Sequence, residues 1–169
     1  LWGDQIEGSL IRAEMRVNTT CRILCQSISY SPEEIGLWKK RIEQQYRGNL
    51  VLDNLPVAQE IKSSPMHPGV IIGYPLGLPK KFNKDKATTL INNHLHFIIG
   101  YHRPASAVED IYRIVGFYVI PYSIDHAKDG SSCKEGTEID PEERKPLTTN
   151  TNRVLWTYAM NWREEPGIE

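Results

Sequence analysis

The chain predicts a mainly β fold: an antiparallel β-sandwich, jelly-roll-like, with one α-helix at about residues 32–47 packed against it. Three observations carry that expectation. Apolar residues recur at period two in several separate segments, and only one segment has helical period. No strand–helix–strand rhythm is present that would build a parallel sheet. A partly open barrel would show the same period. At 169 residues and 40% hydrophobic content, the chain can bury one proper core, so a single domain is expected over 1–169.

The elements follow in order. Ile11, Ala13, Met15 and Val17 alternate with Arg12, Glu14 and Arg16, which predicts a half-buried strand over 10–17. Asn18-Thr19-Thr20 interrupts it, and an extended pattern resumes over 21–30. The helix comes next. Ser31 is its N-cap, Pro32 sits at N1, and Glu34 completes a capping box. Ile35, Trp38, Ile42 and Tyr46, with Leu37 beside them, form its apolar stripe, and Gly48 is placed to end it at C′. A short strand over 50–55 runs into Asn54-Leu55-Pro56, and a polar loop spans 59–68. Val70-Ile71-Ile72 marks a compact apolar strand over 69–74, followed by a Pro-, Gly- and Lys-rich surface connection over 75–89.

Two longer strands are expected at about 91–101 and 111–120. In the first, Leu95, Phe97, Ile99 and Tyr101 share the core face. In the second, Ile111, Arg113, Val115, Phe117 and Val119 lie on one face, and Tyr112, Ile114, Tyr118 and Ile120 on the other. Both faces are largely apolar, which predicts an inner strand covered on each side, with Pro121 ending its ladder. Residues 127–151 are almost entirely polar and predict a long loop. The last strand puts Val154, Trp156, Tyr158, Met160 and Trp162 on one face.

The balance of 20 basic and 21 acidic residues offers no electrostatic footprint for nucleic acid or an anionic membrane. No apolar run approaches the ~18–20 residues that span a bilayer, so the piece itself is expected to be soluble. The opening Leu-Trp-Gly-Asp-Gln is not a signal peptide, and a start without Met suggests a fragment. Asn18-Thr19-Thr20 is the only N-glycosylation acceptor, three residues before Cys21. Beside Cys21, Cys25 and Cys133 it leans towards an oxidising compartment. Along a strand, Cys21 and Cys25 would sit about 13 Å apart, whereas a disulfide needs roughly 4.4–6.8 Å between Cα atoms. Different partners are therefore favoured, Cys133 being one candidate, although a turn would permit a bond between the two.

No catalytic motif is visible: no nucleophile elbow, no phosphate-cradling glycine loop, and no cofactor signature. His94 and His96 share a strand face at a spacing suited to a metal, which His102 or His126 could complete. No acidic or cysteine ligand stands at helpful spacing, so the pair reads as ordinary polar residues on an outer or inter-strand face. Asp4, Glu7 and the group Glu138, Asp140, Glu142 and Glu143 read as solvated charge. Trp156, Tyr158 and Trp162 could stack on a sugar, but at strand period such a stripe is ordinarily core.

Several segments, in one order, resemble a known family. They are Tyr46 to Val57 (Tyr-Arg-Gly-Asn-Leu-Val-Leu-Asp-Asn-Leu-Pro-Val), Ile91-Asn92-Asn93-His94-Leu95-His96-Phe97, and Arg113 to His126 with its Arg-Ile-Val-Gly-Phe and Ser-Ile-Asp-His. Val154-Leu155-Trp156-Thr157-Tyr158 with Trp162, Leu1 to Ile6, and Cys21 with Cys25 complete the set. The family is the nonaspanins, the transmembrane nine superfamily. The resemblance implies a partial lumenal or extracellular domain of a nine-span membrane protein of Golgi and endosomes, possessing no enzyme activity and serving membrane-protein sorting. It also implies that cargo is met by membrane helices absent here, and that an upstream segment carries a further cysteine. The tail from Arg163 to Glu169 departs from the family's usual continuation.

Overall fold

Period-two segments and one capped helix do build a mainly β fold, with a single α-helix among the described residues. The computed structural model describes residues 6–25, 27–61, 69–84, 88–104, 111–126, 133 and 146–165. Its first half contains β1 (Thr19–Ile23), β2 (Ile28–Ser29), α1 (Pro32–Glu43), β3 (Arg47–Gly48), β4 (Val51–Leu52), β5 (Leu55–Pro56), β6 (Ala58–Ile61) and β7 (Gly69–Ile72). Then come β8 (Tyr74–Pro75), β9 (Gly77–Leu78), a 3-10 turn (Lys80–Phe82), β10 (Leu90–Ile91), β11 (His94–His102), β12 (Arg113–Tyr122), β13 (Arg153–Val154) and β14 (Thr157–Glu164).

One six-stranded sheet, in the order β1-β14-β11-β12-β6-β7, organises the rest. It is mixed rather than antiparallel: β11 runs parallel to β14 over eight residue pairs, and β12 meets β6 in parallel at Tyr118 and Ala58. The remaining strands form two-stranded ribbons: β9 with β10, β2 with β13, β3 with β8, and β4 with β5. The sheet's inner face carries Leu95, Phe97, Ile99, Phe117, Val119, Tyr158 and Met160, all buried with Val57. Leu50, just before β4, Leu52 and Leu55 from the β4–β5 ribbon, and Tyr74 from β8 cover that face. Among the described residues, the layer over that face is assembled from ribbons rather than a second full sheet. A second core beside the first joins Ile42 of α1 to Ile91, Leu147 and Val154.

Local chemistry explains most of the elements. Ser31 accepts from the Glu34 backbone N–H and the Glu34 carboxylate accepts from the Ser31 N–H, closing the expected box. The helix ends at Glu43, earlier than expected. Gln45 takes the left-handed conformation at φ 60°, and the N–H groups of Gln45 and Tyr46 return to the carbonyls of Ile42 and Arg41. That is a Schellman motif with glutamine at C′, which leaves Gly48 free to join β3. The expected strand over 50–55 is a hairpin, in which Asp53 and Asn54 both have positive φ (49° and 64°), as a two-residue type I′ turn requires.

Other expectations are corrected. Residues 10–17 form no strand: Arg16 at φ 63° breaks the alternation, Met15 and Val17 stay exposed, and pairing with β14 starts only at Thr19. Proline does not end the β12 ladder, for Pro121 lies opposite Leu95 and Tyr122 opposite His94. β6 meets β12 only at Tyr118, so beyond it the outer side of β12 has no ladder for a proline to break. β12 is an inner strand, but its second face is only half covered, with Ile120 40% exposed. The connection over 75–89 is partly internal, since Gly77 is buried. Of the expected loop over 127–151, residues 127–132 and 134–145 lie outside the described residues. Leu147 belongs to the second core, tied by the Ile91 N–H to its carbonyl. Among the described residues, no helix is long and apolar enough to cross a membrane.

Candidate functional site

Three segments distant in sequence meet at the start of β11. Parallel pairing sets His94, the first residue of β11, opposite Thr157, the first of β14. His94 Nδ1 lies 2.8 Å from Thr157 Oγ1, and His126 Nε2 lies 2.8 Å from the same oxygen. All three side chains are buried. Burial, first of all, pushes His94 down to about 3, and the neighbouring His126 and then His96 add to the effect. The imidazole is therefore neutral. By strand alternation alone, His94 is expected on an outer or inter-strand face. The structure buries it because β11 is flanked on both sides and His126 packs against that face.

Asn93 completes the junction. Its Nδ2 donates to the carbonyls of Ile124 and Leu155, its Oδ1 accepts from the Ile124 N–H, and its backbone carbonyl accepts from the Thr157 N–H. Asn92 Nδ2 donates to the Pro75 carbonyl. Asn93 thus ties the segment after β12 to the entry of β14, with both amide donors and its acceptor in use. Neither Asn93 nor Thr157 stands out in the sequence as a candidate site residue. The available signal was a run of polar residues, Asn92-Asn93-His94, opening an otherwise apolar strand.

Among the described residues, His94, His96, His102 and His126 do not gather as a metal centre. His96 faces Ile120 and Ala159 in register, and His102 closes the strand about 26 Å from His94 at strand rise. Among the described residues, no three His, Cys, Asp or Glu side chains are grouped to hold an ion. Two ring nitrogens converging on one hydroxyl make a hydrogen-bonded pin. Glu7 is exposed, while Asp4 and the group Glu138, Asp140, Glu142 and Glu143 lie outside the described residues.

The aromatic stripe is divided between the two cores. Trp156 packs against Trp38, tilted by 38° with ring centres 5.3 Å apart, and donates its Nε1–H to the Tyr30 hydroxyl, against the second core. Tyr158 is 1% exposed in the first core, and Trp162 packs on that core's margin beside Tyr101. The rings serve packing, and Tyr158 offers no face to a sugar. Cys21 pairs with Cys133 at a Cα separation of 5.4 Å, and Cys25 is a half-buried free thiol. Asn18 is exposed immediately before β1, and its Oδ1 accepts from the Trp162 N–H at 2.8 Å.

Comparison with known proteins agrees with the resemblance in the motifs. Residues 1–169 match the family described as Endomembrane protein 70. Among curated relatives, the chain is similar to Transmembrane 9 superfamily member 10 of Arabidopsis thaliana, 30% identical over 97% of this chain and 27% of the relative. It is also similar to Transmembrane 9 superfamily member 4 of Homo sapiens, 32% identical over 97% of this chain and 28% of the relative. The chain therefore spans little more than a quarter of these relatives' length. No solved structure matches it.

Proposed function

The chain belongs to the Endomembrane protein 70 family of membrane proteins, and from that membership we propose that it is a non-enzymatic lumenal domain of a nine-span protein that sorts membrane proteins in Golgi and endosomal membranes. One observation carries this reading. The family likeness runs through the entire chain, and the relatives that share it are named as transmembrane proteins. The Cys21–Cys133 disulfide supports a lumenal setting, since such bonds persist in oxidising compartments.

In this reading the domain contributes folding, partner contacts and resistance to lumenal proteases. Membrane-protein cargo is met by helices beyond the chain. No residue here is assigned to cargo, because the buried polar junction is internally satisfied and the aromatic rings are used in packing.

The test has two parts, both on the full-length protein. In sealed membrane vesicles with their cytosolic side outward, an epitope within this domain is expected to resist added protease until detergent is supplied. Depleting the protein is expected to lower the surface level of multi-span membrane proteins while their synthesis stays constant. Cleavage without detergent overturns the lumenal placement. Unchanged surface levels overturn the sorting role.

A further inference from the structure

We propose that Asn18 is an N-linked glycan acceptor, modified on the extended chain before the sheet around it closes. The inference rests on the lumenal reading above and adds a covalent modification to it.

Asn18-Thr19-Thr20 supplies the acceptor amide and the hydroxyl at the second position beyond it. The tertiary structure adds what a sequence match lacks. Asn18 is exposed, directly ahead of β1, an end strand of the six-stranded sheet. Its Oδ1 is held by the Trp162 N–H, where the β1–β14 ladder is continued by a side chain. A carboxamide is planar, so an oxygen turned towards β14 turns Nδ2 away from it. Nδ2 makes no hydrogen bond to any described residue. Glycosylation replaces one Nδ2 hydrogen and leaves Oδ1 unchanged, so the folded structure accommodates the modified residue with its one hydrogen bond intact.

In the transfer, Nδ2 bonds to C1 of a lipid-pyrophosphate-linked oligosaccharide. The C1–O bond to phosphate breaks, the lipid pyrophosphate leaves, and Nδ2 releases one proton.

Timing favours occupancy. The residue that fixes Asn18, Trp162, lies 144 positions later, and the Cys21–Cys133 bond closes over a separation of 112. At about 5–20 residues per second of synthesis, roughly 7–30 s pass between the emergence of Asn18 and that of its partner. Throughout that interval the strand that receives it does not exist, and the sequon stays in the extended form a transferase engages.

The experiment uses full-length protein from eukaryotic membranes, with thiols blocked at lysis. Peptides are mapped without reduction and treated with peptide N-glycosidase in heavy-oxygen water, which marks each glycan-bearing Asn as labelled Asp. The expected result is label at position 18 in most molecules, together with linked Cys21–Cys133 peptides. A bare Asn18 alongside that disulfide overturns the glycan and leaves the lumenal reading standing. A bare Asn18 with both thiols alkylated overturns the two together.

Variants separate the sequon from the fold. Asn18→Asp retains an acceptor for the Trp162 N–H and is expected to lose one glycan's worth of mobility shift while still forming the disulfide. Thr20→Ser is expected to keep the shift and Thr20→Ala to lose it. An unchanged shift in Asn18→Asp overturns the assignment. Reductant added during synthesis, which blocks the disulfide, is expected to leave occupancy unchanged. A rise in occupancy would overturn modification ahead of folding.

Discussion

Thr157 serves two buried imidazoles with one hydroxyl, and the arithmetic of its single proton constrains both. The hydroxyl has one proton to give and lone pairs to accept with, so it can donate to one ring nitrogen and accept an N–H from the other. Protonating His94 would set a charge in this buried site, 6.2 Å from the ring of His126. His94 is held at about 3, well below the roughly 6.5 of an unfolded histidine. Its contribution to stability is therefore complete above about pH 6.5 and is lost as pH falls towards 3. The slope reaches about 1.4 kcal/mol per pH unit, or roughly 2 kcal/mol lost by pH 5. Urea unfolding at pH 7.5 and pH 5 measures this, and His94→Gln should flatten the dependence while lowering stability at pH 7.5. Thr157→Val keeps the shape but strands two ring nitrogens, so it should cost about 2–3 kcal/mol, with Thr157→Ser close to the parent.

At the scale of elements, both ends of α1 obey local rules, yet only the start was legible. Ser31, Pro32 and Glu34 form a signal complete within four residues. The sequence points to an end at Gly48, because glycine is the usual C′ residue, whereas Gln45 occupies that conformation at φ 60° and is exposed. Gln45→Gly should therefore stabilise the chain by about 0.5–1 kcal/mol, read from the thermal midpoint. Gly77 gives the opposite case. A Cβ there would lie 2.0 Å from the Leu90 carbonyl oxygen and 2.8 Å from Ile42 Cδ1, where β9 pairs with β10 beneath the helix. Backbone cannot yield as a flexible side chain does, so Gly77→Ala should cost about 2–3 kcal/mol in the same measurement.

For the whole molecule, Cys21 to Cys133 is a covalent tie between an end strand and the long polar segment. Closing a loop of that length restricts the unfolded chain strongly, so Cys133→Ser should cost about 2–5 kcal/mol in urea unfolding. Cys25→Ser, at a half-buried free thiol, should stay within about 1 kcal/mol. What the sequence by itself determined was local or cumulative: period-two strands, the helix start, the sequon, and the ordered segments that identify the family. Those signals lie within a few residues of one another or add along the chain. Tertiary structure alone decided the parallel pairing of β11 with β14, and the convergence of His94, His126 and Thr157. It also decided the choice of Cys21 rather than Cys25 for Cys133. Each joins residues 31 to 112 positions apart. Nothing in either partner's local sequence records the other, because packing of the whole sheet is what brings them together.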